Sequence, residues 1–329
     1  MSTSVRPEPG LRSILGRATV AGVLDGEVPL TYTGGWLDRA GGLRADPDWT
    51  AARRGAAARI VPLWRDRCLI AGDPPVPVRL DGAAGAGILD AGAEPVFLGL
   101  ADGVAVFAVD LSALPEQQAL AVAGAERAAD VRTIVGGLAP AEAALQAYAR
   151  GLLYWHRGQG FCGACGGPTR VRDGGQLRVC AGADCGRLLF PRIEPAVIVL
   201  VEAPGDPNRC LLARHRGAGP DGFSLIAGFV EVGESLEDAV RREAAEEAGI
   251  RLASVRYRAS QAWPFPAGLM VGFTAVAATE EVTVDGVELV DARWFTRDQL
   301  RERAAAGHPP GRDDSIDRLL FTGWLSDQD

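Results

Sequence analysis

The chain has 329 residues, 47% hydrophobic and 23% charged, with a formal net charge of -8. That length suits two or three domains with ordinary cores, and the acidic balance excludes a global basic field that would draw in nucleic acid or an anionic membrane. Every basic residue is an arginine, which excludes any mechanism that needs a lysine.

Residues 1–10 lack a basic segment followed by an apolar one, so no signal peptide is expected. No apolar run is long enough to span a bilayer. A cytoplasmic location is expected, with no membrane partner. Alternating or continuous apolar stretches predict strands over residues 59–64, 68–71, 95–100 and 104–109. The Ala/Gly-rich stretch at 82–87 reads as structureless. Residues 139–156 place Leu145, Tyr148, Ala149, Leu152 and Leu153 at helical spacing, which predicts an amphipathic helix. Further on, strands are expected at 196–202, 210–214, 223–227, 255–257 and 270–277, and helices at 236–248, 297–304 and 315–325. This mixture predicts an α+β fold, with helices layered on a mixed sheet.

Six cysteines are present, and four of them fall between Cys162 and Cys185. Cys68 and Cys210 lie in apolar, strand-like stretches and read as buried thiols. Cys162-x2-Cys165 and Cys180-x4-Cys185 are two close pairs. Each can supply two thiolates from one tight turn, and four thiolates close a tetrahedral structural zinc site. The x4 spacing is wider than the commoner x2, and a set of free or redox thiols is the alternative. A closed four-sulfur site leaves no open position for a substrate, so its expected role is in folding.

The segment from Gly228 to Ile250 carries the chemistry. Ser235 is a good N-cap, Asp238 completes a capping box, and Gly249 suits the helix C-terminus. On the helix between them, Glu243, Glu246 and Glu247 stand at i, i+3 and i+4, within an arc of about 100°. Like charges at this spacing repel, and a hard divalent cation would relieve the repulsion. A solvated acidic face is the simpler alternative for three such glutamates taken alone.

The wider pattern weighs against that alternative. Gly228, Glu234, Arg242, Glu243, Glu246, Glu247 and Gly249 fit G-x5-E-x7-R-E-U-x-E-E-x-G-U, and the segment is therefore similar to the signature of the Nudix hydrolases. Ala244 stands where the family has a bulkier aliphatic residue. Downstream, Ser260-Gln261-Ala262-Trp263-Pro264-Phe265-Pro266-Ala267-Gly268 resembles the SQPWPFPxS segment of the family's NADH pyrophosphatase branch, with Ala262 in place of a proline and Gly268 in place of a serine.

The resemblance implies a Nudix α/β/α sandwich at residues 191–329. Before it would come a linker helix and zinc ribbon at 139–190 and a Nudix-like, non-catalytic N-terminal domain at 1–138. It implies that Glu243, Glu246, Glu247, Glu288 and the carbonyl of Ala227 bind catalytic Mg²⁺ or Mn²⁺, with Glu234 and Arg242 supporting them. It also implies that Phe190, Phe229, Asp317 and residues Gln261, Ala262, Trp263, Pro264, Phe265, Pro266, Ala267 and Gly268 contact the substrate. Phe190 falls where some members have tyrosine, and Asp317 departs from a Ser-Ile-Ala element. The implied reaction is hydrolysis of the pyrophosphate of NADH or NAD⁺ to NMNH or NMN plus AMP, in a homodimer. Removal of NAD caps from RNA breaks the same bond. Two alternatives are a broader hydrolase of nucleoside diphosphates linked to other groups, and a nucleotide sensor without turnover, which would be expected to lose the carboxylates retained here.

Overall fold

The computed structural model describes residues 30–326, apart from residues 35, 36, 56 and 93. The expectation about residues 1–10 therefore lies outside the described residues, as does the start of the expected N-terminal domain.

In chain order the first half runs α1 (Pro47–Ala51), β1 (Arg59–Trp64), β2 (Arg67–Ala71), β3 (Val76–Pro77), β4 (Leu80–Asp81), α2 (Gly82–Ala91), β5 (Val96–Ala101), β6 (Val104–Asp110), α3 (Glu116–Ala123), β7 (Arg127–Ala129), α4 (Val131–Ile134) and α5 (Pro140–Gly158). Its strands form one sheet of order β3-β2-β1-β6-β5, with β4 added to β1 and β7 to β2; β1 and β6 are parallel. One face, with Ile60, Phe97, Phe107 and Val109, meets α2 and α3 through Ile88, Ala119 and Ala123. The other face, with Val61, Leu63, Val96 and Leu98, is covered by Leu145, Ala149, Leu152 and Leu153 of α5. Both faces are buried, which is why these strands read as continuous apolar runs.

Two expectations change here. Residues 82–87 are not structureless: they open α2, because alanine favours helix and Ile88, fully buried, anchors the turn that follows. The helix expected as a linker is instead a wall of the N-terminal core. Its Leu145, Leu152 and Leu153 pack in one layer with Val61, Leu63, Val96 and Leu98 of that sheet.

A three-stranded ribbon follows, β8 (Thr169–Arg172), β9 (Leu177–Cys180) and β10 (Leu188–Leu189). The last region contains β11 (Glu194–Ala203), β12 (Asp206–His215), β13 (Phe223–Ser224), β14 (Ile226–Phe229), α6 (Leu236–Ala248), β15 (Leu252–Trp263), β16 (Gly268–Ala277), β17 (Leu289–Thr296), α7 (Arg297–Ala305) and α8 (Ile316–Ser326). The strand order is β13-β12-β11-β16-β15, with β14 on β11 and β17 on β12, and β11 runs parallel to β16.

Side chains alternate along β11 as the pleat demands. Val197, Val199 and Val201 face α6 with Ala239 and Val240. Ile198 and Leu200 face α7 and α8 with Leu300, Leu320, Phe321 and Trp324. This is a mixed sheet between helical layers, the α+β class read from the sequence. β15 is far longer than the expected 255–257, and β17 was not foreseen. β15 is an edge strand with Arg256 and Arg258 exposed, so its apolar period is interrupted. Cys68 and Cys210 are buried thiols, as expected, and burial pushes both up to about 12. Among the described residues, no helix is long and apolar enough to cross a membrane.

Candidate active site and metal centres

The helix α6 is fixed at both ends. The Ser235 hydroxyl accepts the Asp238 N–H at 3.1 Å, and the Asp238 carboxylate accepts the Ser235 N–H at 3.3 Å. At the far end Gly249 adopts φ 68°, and its N–H and that of Ile250 close on the carbonyls of Ala245 and Ala244. The apolar face of the helix packs on the sheet, and the adjoining face carries the carboxylates.

Arg242 organises them. Its guanidinium donates to Glu234 at 2.6 and 3.1 Å, to Glu243 at 2.9 Å, to Glu246 at 3.0 Å and to the Phe229 carbonyl at 2.8 Å. Glu234 also accepts the Glu231 N–H at 3.0 Å, so this loop and helix are tied together. The Arg242 hydrogen bond holds the Glu234 carboxyl below the usual range.

Glu243 and Glu247 are buried, whereas Glu246 is exposed. The Glu243 carboxylate rests against the backbone of β14. A Cβ at Gly228 would lie 1.8 Å from its Oε1, so any side chain there would displace the carboxylate, which sits one residue from the Ala227 carbonyl. Desolvation raises the pKa of Glu243 despite Arg242. Desolvation, then the charges of Glu243, Glu288, Asp285 and Glu246, push Glu247 up to about 7. Its Oε2 is buried without a hydrogen-bond partner. An orphaned carboxylate oxygen amid four further carboxylates is costly unless a cation joins them. The donor set is all oxygen, which suits a hard divalent ion. The residues present fit such a metal.

The cysteines form the second centre. All four sulfurs lie within 4.8 Å of one another, a closeness that no other metal-ligating group reaches among the described residues. The gaps Cys162–Cys185 and Cys165–Cys180 are 3.9 and 3.4 Å. Tetrahedral thiolates around zinc would stand about 3.8 Å apart. The Gly167 N–H points at the Cys165 sulfur and the Gly182 N–H at the Cys180 sulfur. Gly166 turns the first pair at φ 71°.

The strand register sets the span of the site. Phe229 pairs with Ala196, Ala196 with Met270, and Met270 with Gln261. Three inter-strand steps of roughly 4.8 Å separate Phe229 from Gln261 by about 14 Å. Phe229 and Phe190 are both exposed.

Against this geometry, family models match a NUDIX domain over residues 192–319 and an NADH pyrophosphatase-like rudimentary NUDIX domain over 57–155. A NAD-capped RNA hydrolase NudC from Mycobacterium bovis is 38% identical over 301 residues, covering 91% of this chain and 92% of that one. The chain belongs to the Nudix hydrolase family. The human NAD-capped RNA hydrolase NUDT12 is 41% identical over 196 residues, which is 56% of this chain and 42% of that one. A NudC from Deinococcus radiodurans is 40% identical over 175 residues, 52% and 62% respectively. The chain thus spans about two fifths of the human relative's length and about three fifths of the Deinococcus one.

Within this Nudix frame some expected contacts take other roles. Gln261 is fully buried, and its amide is spent on the backbone of Thr31, Asp314 and Ile316. Asp317 is buried too. It accepts the N–H groups of Arg312 and Arg318 and so folds its own loop; burial raises its pKa. Neither side chain is placed to read a substrate. Trp263 and Phe265 are half-buried against the N-terminal half.

Two residues escaped the sequence reading. Asp285 accepts the N–H groups of Glu288 and Leu289, both at 2.9 Å, and fixes the turn that carries Glu288. Arg216 donates to the carbonyls of Gly286 and Val287 from the end of the neighbouring strand β12, and its N–H donates to the Glu288 carbonyl. Only the turn-forming Asp285-Gly286 pair signalled this in the sequence.

Proposed function

We propose that the chain hydrolyses the pyrophosphate of NADH or NAD⁺ to NMNH or NMN plus AMP, and cuts the same bond where NAD caps an RNA. The observation that carries this reading is the buried Glu247 carboxylate, unpartnered at Oε2 and with its pKa raised by burial and by the charges of Glu243, Glu288, Asp285 and Glu246. Two features of the same sheet suit a dinucleotide: exposed Phe229 on β14, and the Trp263–Pro266 segment that follows Gln261, itself three strand steps or about 14 Å from Phe229. The relatives named as NAD-capped RNA hydrolases support the substrate class.

Glu243, Glu246, Glu247, Glu288 and the Ala227 carbonyl would hold Mg²⁺ or Mn²⁺. When bound, such a cation neutralises the phosphate oxygens and acidifies water. Arg242 keeps Glu243 and Glu246 in place and lets Glu234 tie the loop to the helix. Asp285 and Arg216 hold Glu288 at the rim. Phe229 and the rings of Trp263 and Phe265 supply flat apolar surface for the bases.

The four cysteines hold Zn²⁺ in this reading and brace the ribbon. Phe161, Leu188, Phe190, Ile193, Phe229 and Val232 are each exposed, and exposed apolar side chains suit burial by a second copy of the chain. A broader nucleoside-diphosphate hydrolase remains the second reading, because Gln261 and Asp317 are engaged elsewhere and narrow the recognition set.

Product analysis by chromatography after incubation with NADH and Mg²⁺ or Mn²⁺ is the test. NMNH plus AMP is expected. Nicotinamide plus ADP-ribose, or no product, would overturn the proposal.

A further inference from the structure

Residues Thr31, Tyr32 and Thr33 cross from the N-terminal half onto the Trp263 segment. Gln261 donates its amide to the Thr31 carbonyl at 2.8 Å and to the Asp314 carbonyl at 2.9 Å, and accepts the Ile316 N–H at 2.8 Å. The Ala262 N–H donates to the Thr33 hydroxyl at 3.0 Å. Between these bonds Tyr32 is buried at φ 66°, a left-handed conformation that a bulky side chain adopts only when its surroundings enforce it.

The Tyr32 hydroxyl donates to Asp314 at 2.8 Å, and Arg312 grips the same carboxylate at 2.9 and 3.1 Å. Burial pushes the phenol up, and the Asp314 hydrogen bond adds to it, so it stays a donor at every working pH. The Tyr32 ring meets Phe265 edge-on at 4.9 Å and Trp263 at 5.8 Å.

α5 closes the same seam. Arg150 donates to the Pro264 carbonyl at 2.7 Å, and both Arg150 and Arg132 stand 5.0 Å from the Phe265 ring centre. Gly151 lets the proline in, since a Cβ there would lie 2.8 Å from the Pro264 Cβ.

We propose that the Thr31–Thr33 strap, with Tyr32 at its centre, is a positioning device that sets the Trp263–Pro266 rings and the 313–317 loop in one arrangement for the dinucleotide. The N-terminal half therefore acts on substrate recognition without touching substrate. This rests on the reading that the Trp263–Pro266 segment takes a dinucleotide ring.

The test uses the full chain with its metals. Initial rates on NADH are measured for wild type, Tyr32→Ala, Tyr32→Phe and Thr33→Val. Backbone hydrogen exchange over residues 260–266 is measured beside them. Tyr32→Ala is expected to raise KM about tenfold or more, with kcat changed by less than about threefold. Tyr32→Phe keeps the ring and loses only the Asp314 bond, so its KM rises less. Thr33→Val speeds exchange at Ala262. A strap that merely holds two halves together would lower the melting temperature and leave KM alone.

A folded Tyr32→Ala with wild-type KM, or with a loss confined to kcat, overturns the proposal. If Tyr32→Ala does not fold, unchanged KM in both Tyr32→Phe and Thr33→Val overturns it. If wild type fails to cleave NADH, the functional reading falls by itself. Unchanged exchange at residues 260–266 in the strap variants would then separately remove the strap.

Discussion

Strand for strand, β3-β2-β1-β6-β5 in the N-terminal half and β13-β12-β11-β16-β15 in the C-terminal half follow one path. β4 joins β1 as β14 joins β11, β7 joins β2 as β17 joins β12, and the central parallel pair recurs. The helix after the short strand also recurs, but its content differs. α6 reads LEDAVRREAAEEA and presents three glutamates beside Arg242, whereas α2 reads GAAGAGILDA, with no glutamate and no arginine. β14 reaches its helix through a loop that Glu234 ties to Arg242; β4 runs directly into α2. The backbone plan supplies a platform in both halves, and the chemistry depends on what one helix displays.

Breaking the site in the second half should have the largest effect. Glu247→Gln is expected to lower kcat by about a thousandfold or more in saturating Mg²⁺ while the melting temperature is kept. Near-normal turnover would remove the site from α6. Gly228→Ala places a methyl group where the Glu243 carboxylate rests. We expect a loss of about a hundredfold in kcat/KM, with circular dichroism unchanged; full activity would mean that Glu243 works from another position.

In the first half the expected signature is reversed. Phe107 is fully buried in the N-terminal core. Phe107→Ala should cost about 3–5 kcal/mol of stability in chemical denaturation, while the folded fraction keeps its kcat. A large fall in kcat would mean that the first half takes part in the chemistry.

The smallest expected effect is on pH dependence. Burial raises Glu247 from 4.5 to about 7, so the folded state binds its proton more tightly than the unfolded state. The stability this contributes is complete below about pH 4.5 and is lost as pH rises through about 7. In EDTA, wild type should lose melting temperature relative to Glu247→Gln between pH 5 and 8. Saturating Mg²⁺ should flatten that difference. Parallel curves in EDTA would contradict the burial of a charged Glu247.

The legible parts of the sequence were those whose meaning is local. The glutamates of α6 and the four cysteines lie within one helix or two turns, so spacing alone brings them together. Gln261 reads as a substrate contact in sequence because its partners, Thr31 and Ile316, lie far along the chain. Arg216 was invisible for the same reason, since it holds the Gly286–Glu288 turn from the end of the neighbouring strand, about 70 residues away; Asp285 acts locally and shows only as a turn-forming Asp285-Gly286 pair. α2 lacked a visible period because glycine and alanine carry little hydrophobic contrast. β15 was shortened by arginines that an edge strand tolerates and a buried strand would not.

Helix α5 shows two unlike sides. Leu145, Ala149 and Leu152 seal the N-terminal sheet, while Ala143, Ala147 and Gly151, one turn apart, admit Trp263, Pro264 and Phe265 from the other half. Loosening either sheet strips a surface that the other needs. The duplicated halves have thereby given up their independence, and heating should melt them in a single cooperative transition instead of two.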